Sequence, residues 1–169
     1  MQIKQSLACG LALAACGAFG QLAPLDPDWR EADAPPPPAL KTERLIELEI
    51  PRSTLRYGID PASVSVGADG VVRYVVVARS TSGAVNAMYE GIHCKTGEVK
   101  VYARHNPDSG WVKAQDPQWK SLHEVANTRH SLLIARTGAC VAGGVNGSAR
   151  QIVRDLAAPV DSRFATETR

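Results

Sequence analysis

The sequence predicts an α+β fold in which an antiparallel β-meander sheet is followed by two or three short helices packed on one face. Segments with strand patterning come first along the chain and segments with helical spacing come last, so the two kinds do not alternate. Short polar loops join the strand segments, which favours antiparallel neighbours. The 169 residues are 44% hydrophobic and 21% charged, a composition typical of one globular domain. We expect this single domain to span residues 42–158.

Residues 1–15 are predicted to be a signal peptide of the lipoprotein type. Lys4 precedes an apolar run, Ser6 to Ala15, that suits a signal-peptide core and is well short of the roughly 20 residues needed to span a bilayer. The run ends in Leu13-Ala14-Ala15-Cys16-Gly17, a lipobox pattern, so Cys16 is the expected lipidation site. Cleavage after Ala18-Phe19-Gly20 is the alternative, and it would remove Cys16.

Residues 16–41 are predicted to be a proline-rich tether. The run Pro35 to Pro38 fixes the backbone and removes hydrogen-bond donors, which favours an extended polyproline II spacer. Docking of this run on an SH3-like partner is an alternative that a simple tether makes unnecessary. Trp29 lies inside the segment and could instead pack back onto the domain.

The strands are predicted from alternation, β-branched residues and turn signals such as Asp69-Gly70. The predicted strands are Leu45–Ile50, Ser63–Val66, Val71–Arg79, Val85–Cys94 and Glu98–Arg104. Within Val71–Arg79, the face that carries Val72, Tyr74 and Val76 is expected to meet the core.

The helices are predicted in the last third of the chain. One begins at Asp116-Pro117 and runs through Trp119 to Ala126, a second spans Thr128–Arg136, and a third spans Ala149–Leu156 behind a Ser148 cap. Residues 159–169 are expected to be a disordered tail.

Composition and motifs exclude several classes of function. The net charge of +2 comes from scattered residues, so no basic patch indicates nucleic acid as a partner. The four histidines form no metal-binding spacing, and no cofactor motif or Gly-x-Ser-x-Gly nucleophile elbow is present. We therefore predict no metal, no cofactor and no catalytic residue.

Two cysteines remain for the folded domain. Cys9 lies in the signal peptide and Cys16 is either lipidated or removed, which leaves Cys94 and Cys140 in an oxidising compartment. A disulfide between them is predicted, and it would fasten the helical layer to the sheet.

Glu90 is the one acidic residue on an apolar strand face, because it shares that face with Met88 and Ile92. Such a group must be exposed, paired or functional. Pairing with Arg73 or Arg104 is the structural interpretation. The functional interpretation is a binding site formed by Glu90 with Tyr102 or Arg104.

Three blocks carry a resemblance to a known family: Pro35 to Pro38, the run Asp69-Gly70-Val71-Val72-Arg73-Tyr74-Val75-Val76-Val77, and Tyr89-Glu90-Gly91-Ile92-His93-Cys94. At these blocks the chain resembles the cryptic neisserial protein-like family of small exported proteobacterial proteins. The Trp119 region and the Leu-rich segment ending at Cys140 fit the same pattern, so the resemblance covers roughly residues 29–156. It implies an exported protein of uncharacterised function and transfers no catalytic or binding residues.

Two classes of function follow from these features. The favoured one is a non-catalytic binding or assembly module in the cell envelope, held to the membrane by the N-terminal lipid and acting on an envelope protein or ligand. Because Gly17 and not aspartate follows Cys16, the outer membrane is the expected destination, with the domain in the periplasm. The alternative is a small periplasmic hydrolase with a site near Glu90 and His105 or His123.

Overall fold

A computed structural model describes residues 26–123 and 128–159, and within them one antiparallel sheet of eight strands carries two short α-helices. This is the predicted α+β class. The strands are β1 Ile46–Leu48, β2 Arg56–Ile59, β3 Ser65–Val66, β4 Val71–Arg79, β5 Val85–His93, β6 Glu98–Asn106, β7 Gly110–Lys113 and β8 Lys120–Ser121. The main path runs β1-β2-β4-β5-β6-β7, with β3 paired to β4 and β8 paired to β6. The predicted signal peptide, Cys16 and almost all of the predicted tail lie outside the described residues.

The centre of the sheet is the meander β4-β5-β6. β4 has the predicted bounds, β5 ends one residue earlier than expected, and β6 extends two residues further. Tyr74 on β4 lies opposite Glu90 on β5, and a register shift between Tyr89 and Glu90 marks a bulge in the pairing of β5 with β6. Bulges re-aim side chains and often occur beside functional sites.

The two short strands β2 and β7 have no clear strand pattern in the sequence and were not predicted. β2 contains Gly58, a poor strand former, but the strand needs a glycine there because an added Cβ would lie 2.8 Å from the Cβ of Leu45. β7 continues from the turn that ends at Gly110 and forms a hairpin with β6. Both strands owe their conformation to the long neighbour on which they pair.

The helices partly match the prediction. α1 spans Arg129–Ile134 and continues as a π-helical turn, Ala135–Ala139. α2 spans Ala149–Ala157, and the Ser148 hydroxyl accepts a hydrogen bond from the backbone N–H of Gln151, as its cap position predicted. A small hairpin of β9 Cys140–Val141 and β10 Gly144–Val145 joins the two helical segments.

The helix predicted from Asp116 is absent between residues 116 and 123. Lys120 and Ser121 form β8 against β6, and the backbone N–H of Leu122 donates to the carbonyl of Gly97. Pairing with the sheet satisfies these backbone groups in place of a helical turn. Residues 124–127 lie outside the described part of the chain.

The main core lies between the inner face of the sheet and the helices. On the sheet side it contains Tyr74, Val76 and Ile92, and on the helix side it contains Ile134 and Ile152, each 0–1% exposed. Burial of an aliphatic side chain of this size contributes about 1.5–3 kcal/mol. The face of β4 predicted to meet the core does so.

The Cys94–Cys140 disulfide is confirmed. The two Cα atoms lie 5.5 Å apart, and the bridge joins the end of β5 to the segment that follows the π-helical turn. It therefore fastens the helical layer to the sheet, as the sequence predicted.

The outer face of the sheet is covered by an N-terminal strap, which we define as residues 29–38. Glu31 in the strap accepts hydrogen bonds from Lys100 Nζ at 2.7 Å, Tyr102 Oη at 2.8 Å and Trp119 Nε1 at 3.1 Å. Near the other end, Trp111 Nε1 donates to the carbonyl of Pro38 at 2.8 Å. The part of the predicted tether from residue 29 onward therefore packs on the sheet instead of projecting from it.

The first residue of the strap is held against the same face. Trp29 stacks on His93 with ring centroids 4.2 Å apart, and its Nε1 donates to the carbonyl of Asp69 at 2.9 Å. Asp69 is itself in a buried ion pair with Arg73, at 2.6 Å. Trp29 thus packs back onto the domain, and both faces of β4 are buried.

Candidate functional site, a polar groove on the inner face

The inner face of the sheet contains a buried carboxylate. Glu90 is 2% exposed and lies on β5 between Met88 and Ile92 on the same face. Its neighbours across the sheet are Tyr74 on β4 and Val101 on β6. An ionised side chain at such a position needs several hydrogen-bond donors.

Three side chains donate to Glu90. Tyr74 Oη lies 2.9 Å from Oε2, Ser131 Oγ lies 3.1 Å from Oε2, and His130 Nε2 lies 3.0 Å from Oε1 and 3.1 Å from Oε2. His130 and Ser131 are consecutive residues of α1 that face the sheet, and both are buried. The carboxylate is thus the hub that connects α1 to the sheet.

The surroundings of Glu90 set its charge state. Burial alone would raise the pKa of Glu90, but the charge of His130 and the hydrogen bonds from His130, Tyr74 and Ser131 together hold it below its ordinary value. Burial and the Glu90 charge raise the pKa of Tyr74 well above its ordinary value, so Tyr74 remains a donor. Tyr57 stacks on the His130 ring with centroids 5.1 Å apart, and burial and the Glu90 charge raise its pKa.

A groove of about 670 Å³ opens over this cluster, and we call it the Glu90 groove. The inner faces of β5, β6 and β7, the loop between β7 and β8, and the first turn of α1 form its walls. Its lining includes Tyr57, Met88, Glu90, Val101, Arg104, Val112, Pro117, Gln118, Lys120, His130 and Ser131. The volume lies within the range of small-molecule sites, which combine apolar walls with a few polar groups.

Two positively charged side chains lie on the inner face of the sheet. Arg104 lies opposite Met88 and Val112, and Lys120 lies opposite Val99, so strand alternation places both on the inner face. Both are exposed, and neither forms an ion pair with the residues described here. Val112 is 48% exposed, so the apolar floor of the groove is open to solvent.

The cluster lacks the geometry of a nucleophilic enzyme. Activation of a serine needs a base that accepts its proton and a third group that orients the base. Here Ser131 donates directly to Glu90, and His130 also binds Glu90 through Nε2. Because the carboxylate accepts from both, the arrangement fixes a charge in place without activating the hydroxyl.

The structure places two of the predicted partners of Glu90, Arg73 and Tyr102, on the other face of the sheet, and the third, Arg104, in the same groove as Glu90. Arg73 lies on the outer face and pairs with Asp69, and Tyr102 binds Glu31 on that same face. Arg104 lines the groove with Glu90 but makes no hydrogen bond to it among the described residues. Of the predicted binding set, the structure therefore brings Glu90 and Arg104 together and separates Tyr102 from them.

The predicted hydrolase histidines are also not at Glu90. His105 pairs with Ala87 and stacks edge-on with Trp111, which places it on the outer face. His123 is exposed, and it does not line the groove. The histidine at Glu90 is His130, which the sequence analysis did not select.

The local sequence around His130 does not indicate its role. His130 and Ser131 stand near the start of the predicted second helix, and the buried positions of α1 are His130, Ser131 and Ile134. Two adjacent polar residues at the start of a short helix are typical of positions that face solvent. Only the presence of Glu90 on the facing strand makes the opposite orientation favourable.

The described residues include no group of three or more His, Cys, Asp or Glu side chains that could hold a metal ion. In the same part of the chain, no helix has the length and apolar character that a membrane crossing requires.

The family model described as CNP1-like family matches residues 25–157. The chain belongs to the CNP1-like family. The matched span covers the strap, the sheet and both helices of this CNP1-like fold. No curated protein and no solved structure matches the chain.

Proposed function

We propose that this CNP1-like protein is a lipid-anchored, non-catalytic binding module of the cell envelope, and that a small molecule binds in the Glu90 groove. The observation that carries the proposal is an open groove with a fully buried, hydrogen-bonded carboxylate at its base. Preorganised polar groups beside an apolar floor are typical of ligand sites. The family itself, we propose, is the group of small exported proteobacterial proteins that its motifs resemble.

The chemistry of the groove supports binding over catalysis. Glu90 accepts from Tyr74, His130 and Ser131, so the carboxylate holds α1 against the sheet. The groups that can meet a ligand include the Arg104 and Lys120 side chains and the apolar floor at Val101 and Val112, and the lining also contains Lys113 and Asp116. A ligand with an anionic group and an apolar body fits this set.

The N-terminal sequence supports the location. The lipobox at Cys16 would attach the mature chain to a membrane, and Gly17 after it favours the outer membrane. A disulfide is suited to an oxidising compartment such as the periplasm. If Cys16 is acylated, at most twelve residues separate it from Trp29, where the strap begins, and this chain can reach roughly 40–47 Å when extended.

The ligand test uses native mass spectrometry of the full mature protein purified from its own envelope. We expect wild type to retain a small-molecule adduct and Val101→Phe, which fills the floor of the groove, to lose it. Arg150→Gln serves as the control, because Arg150 is an exposed residue of α2 outside the groove. A wild-type protein without an adduct, or an adduct that survives in Val101→Phe, would contradict the assignment of the groove.

The anchor test is independent of the ligand. Labelled palmitate should enter the wild-type protein and not Cys16→Ser, and the wild-type protein should fractionate with membranes. A mature protein that begins at Gln21 without added lipid would contradict the anchor and leave the groove assignment standing.

A further inference from the structure

A second groove lies on the opposite side of α1, and we call it the arginine groove. It encloses about 360 Å³ and is lined by Ile50, Pro51, Arg52, Arg129, Leu132, Leu133 and Arg136. The first three residues form the turn after β1, and the others belong to α1 and the π-helical turn. The two elements meet only through the fold, so the groove is a tertiary feature.

The spacing of residues on α1 separates the two grooves. His130, Ser131 and Ile134 face the sheet and are buried. Leu132 and Leu133 are half-buried and form the apolar floor of the arginine groove. A short helix that turns two leucines toward a solvent-open surface has apolar area available for a partner.

The rim of the groove is entirely cationic. Arg52, Arg129 and Arg136 are exposed, no acidic side chain lines the groove, and none of the three is in an ion pair with another residue in the described ranges. Arg52 holds a left-handed backbone conformation with φ of 62°, which side chains other than glycine rarely adopt. The turn thus keeps a guanidinium at the groove despite a backbone cost.

The spacing of the arginines indicates a ligand with more than one acidic group. Arg129 and Arg136 are seven positions apart, which corresponds to about 10 Å along a helix at 1.5 Å per residue. Leu132 and Leu133 lie between them. A single carboxylate or phosphate would leave the two leucines uncovered, whereas a peptide with two acidic side chains on either side of an apolar one matches both the charges and the apolar floor. Guanidinium groups bind carboxylates through paired hydrogen bonds.

We propose that the arginine groove is the docking site for an acidic peptide segment of a partner protein, with its carboxylates on Arg129 and Arg136 and its apolar side chain on Leu132 and Leu133. This surface is separate from the Glu90 groove. Its failure or success therefore says nothing about the small-molecule site.

The test is fluorescence anisotropy of the full mature protein with a fluorescein-labelled peptide in which two glutamates, four positions and so about 13 Å apart in an extended chain, flank a central leucine on the same face. The matched peptide carries glutamines in place of the glutamates. We expect saturable binding of the glutamate peptide, which Arg129→Gln and Arg136→Gln each weaken by about tenfold, since each removes a charged hydrogen-bond partner. Arg150→Gln, an exposed change on α2, should bind as wild type does.

Several outcomes would overturn the proposal. One is an absence of saturable peptide binding, and another is equal affinity for the glutamine peptide. A third is binding only to phosphatidylglycerol vesicles in an Arg129- and Arg136-dependent manner, which would assign the groove to a lipid surface. A fourth is a dimer in solution that Arg136→Gln dissociates, which would assign it to a second copy of the chain.

Discussion

Replacing His130 with leucine should leave Glu90 buried without the side chain that binds both of its oxygens. Removal of one member of a buried ion pair costs about 3–5 kcal/mol, because the remaining charge keeps its desolvation penalty. Tyr74 and Ser131 still donate to the carboxylate in this variant, at 2.9 and 3.1 Å, so the loss should fall near the lower end, at about 3 kcal/mol. That is a large share of the roughly 5–15 kcal/mol that stabilises a typical domain.

The assay is thermal unfolding of the oxidised protein, followed by circular dichroism at pH 7. For a domain of this size, about 3 kcal/mol lowers the melting temperature by about 6–12 °C. His130→Gln should lose less, because its amide can still donate to Glu90 without carrying a charge. His123→Leu is the control, since His123 is exposed and should melt close to wild type.

The pH dependence gives the effect a distinct signature. In wild type the pKa of Glu90 lies below its ordinary value of 4.5, so its stabilising contribution is present above that pH and is lost as the pH falls through the folded-state pKa. Without His130, only the hydrogen bonds from Tyr74 and Ser131 remain to oppose the effect of burial on the Glu90 pKa, so the ionised form is less favoured than in wild type. The deficit of His130→Leu should then be largest at neutral pH and shrink as acid protonates Glu90. A deficit that stays constant from pH 7 to pH 4, or a melting temperature equal to that of wild type, would refute the hub at Glu90.

Three further changes test other parts of the fold. Reducing the Cys94–Cys140 disulfide, whose cysteines are 46 residues apart in sequence, should lower the free energy of unfolding by about 4 kcal/mol through the regained loop entropy of the unfolded chain. Thiol titration of the denatured but unreduced protein should show no free thiol from this pair. Glu31→Gln should lower the free energy of unfolding by about 1–3 kcal/mol and expose the strap to limited proteolysis. Hydrogen bonds from Lys100 and other donors outweigh burial and lower the pKa of Glu31, so wild type should lose this stabilising contribution as the pH falls below 4.5. Unchanged proteolysis would argue against the strap. Gly138→Ala should lower the free energy of unfolding by about 1–3 kcal/mol in urea denaturation, because the new methyl group would lie 2.5 Å from a leucine of α2. Gly144→Ala is the control and should be close to neutral, since its nearest contact would be at 3.7 Å. Equal stability of the two variants would contradict the packing of α2.

The parts of the fold that were predicted correctly rest on local patterns. β4 alternates β-branched residues after an Asp69-Gly70 turn, and α2 follows a Ser148 cap, so each needs only its own neighbours to be recognised. The pairing of Cys94 with Cys140 follows from counting the cysteines that remain once the predicted signal peptide and lipidation site are set aside. The helix expected after Asp116 failed because β6 offers this segment a strand partner that local propensity does not include.

The candidate site was predicted only in part. Glu90 could be singled out because it is an acidic residue on an apolar strand face, but its partners could not. Strand alternation shows that Arg73 lies on the opposite face, yet alternation alone does not say which of the two faces the helices cover. The outer face also packs, because the strap covers it and Glu31 binds Lys100 and Tyr102 there.

The sequence by itself determined the fold class, the central strands, the capped last helix and the disulfide, because each depends on residues close in the chain or on a count. Tertiary structure alone decided that His130 meets Glu90, forty positions away, and that the strap seals the outer face. These contacts form because a buried carboxylate must find donors and an apolar sheet face must be covered. Which residues satisfy those needs depends on how the layers pack, and no local pattern records it.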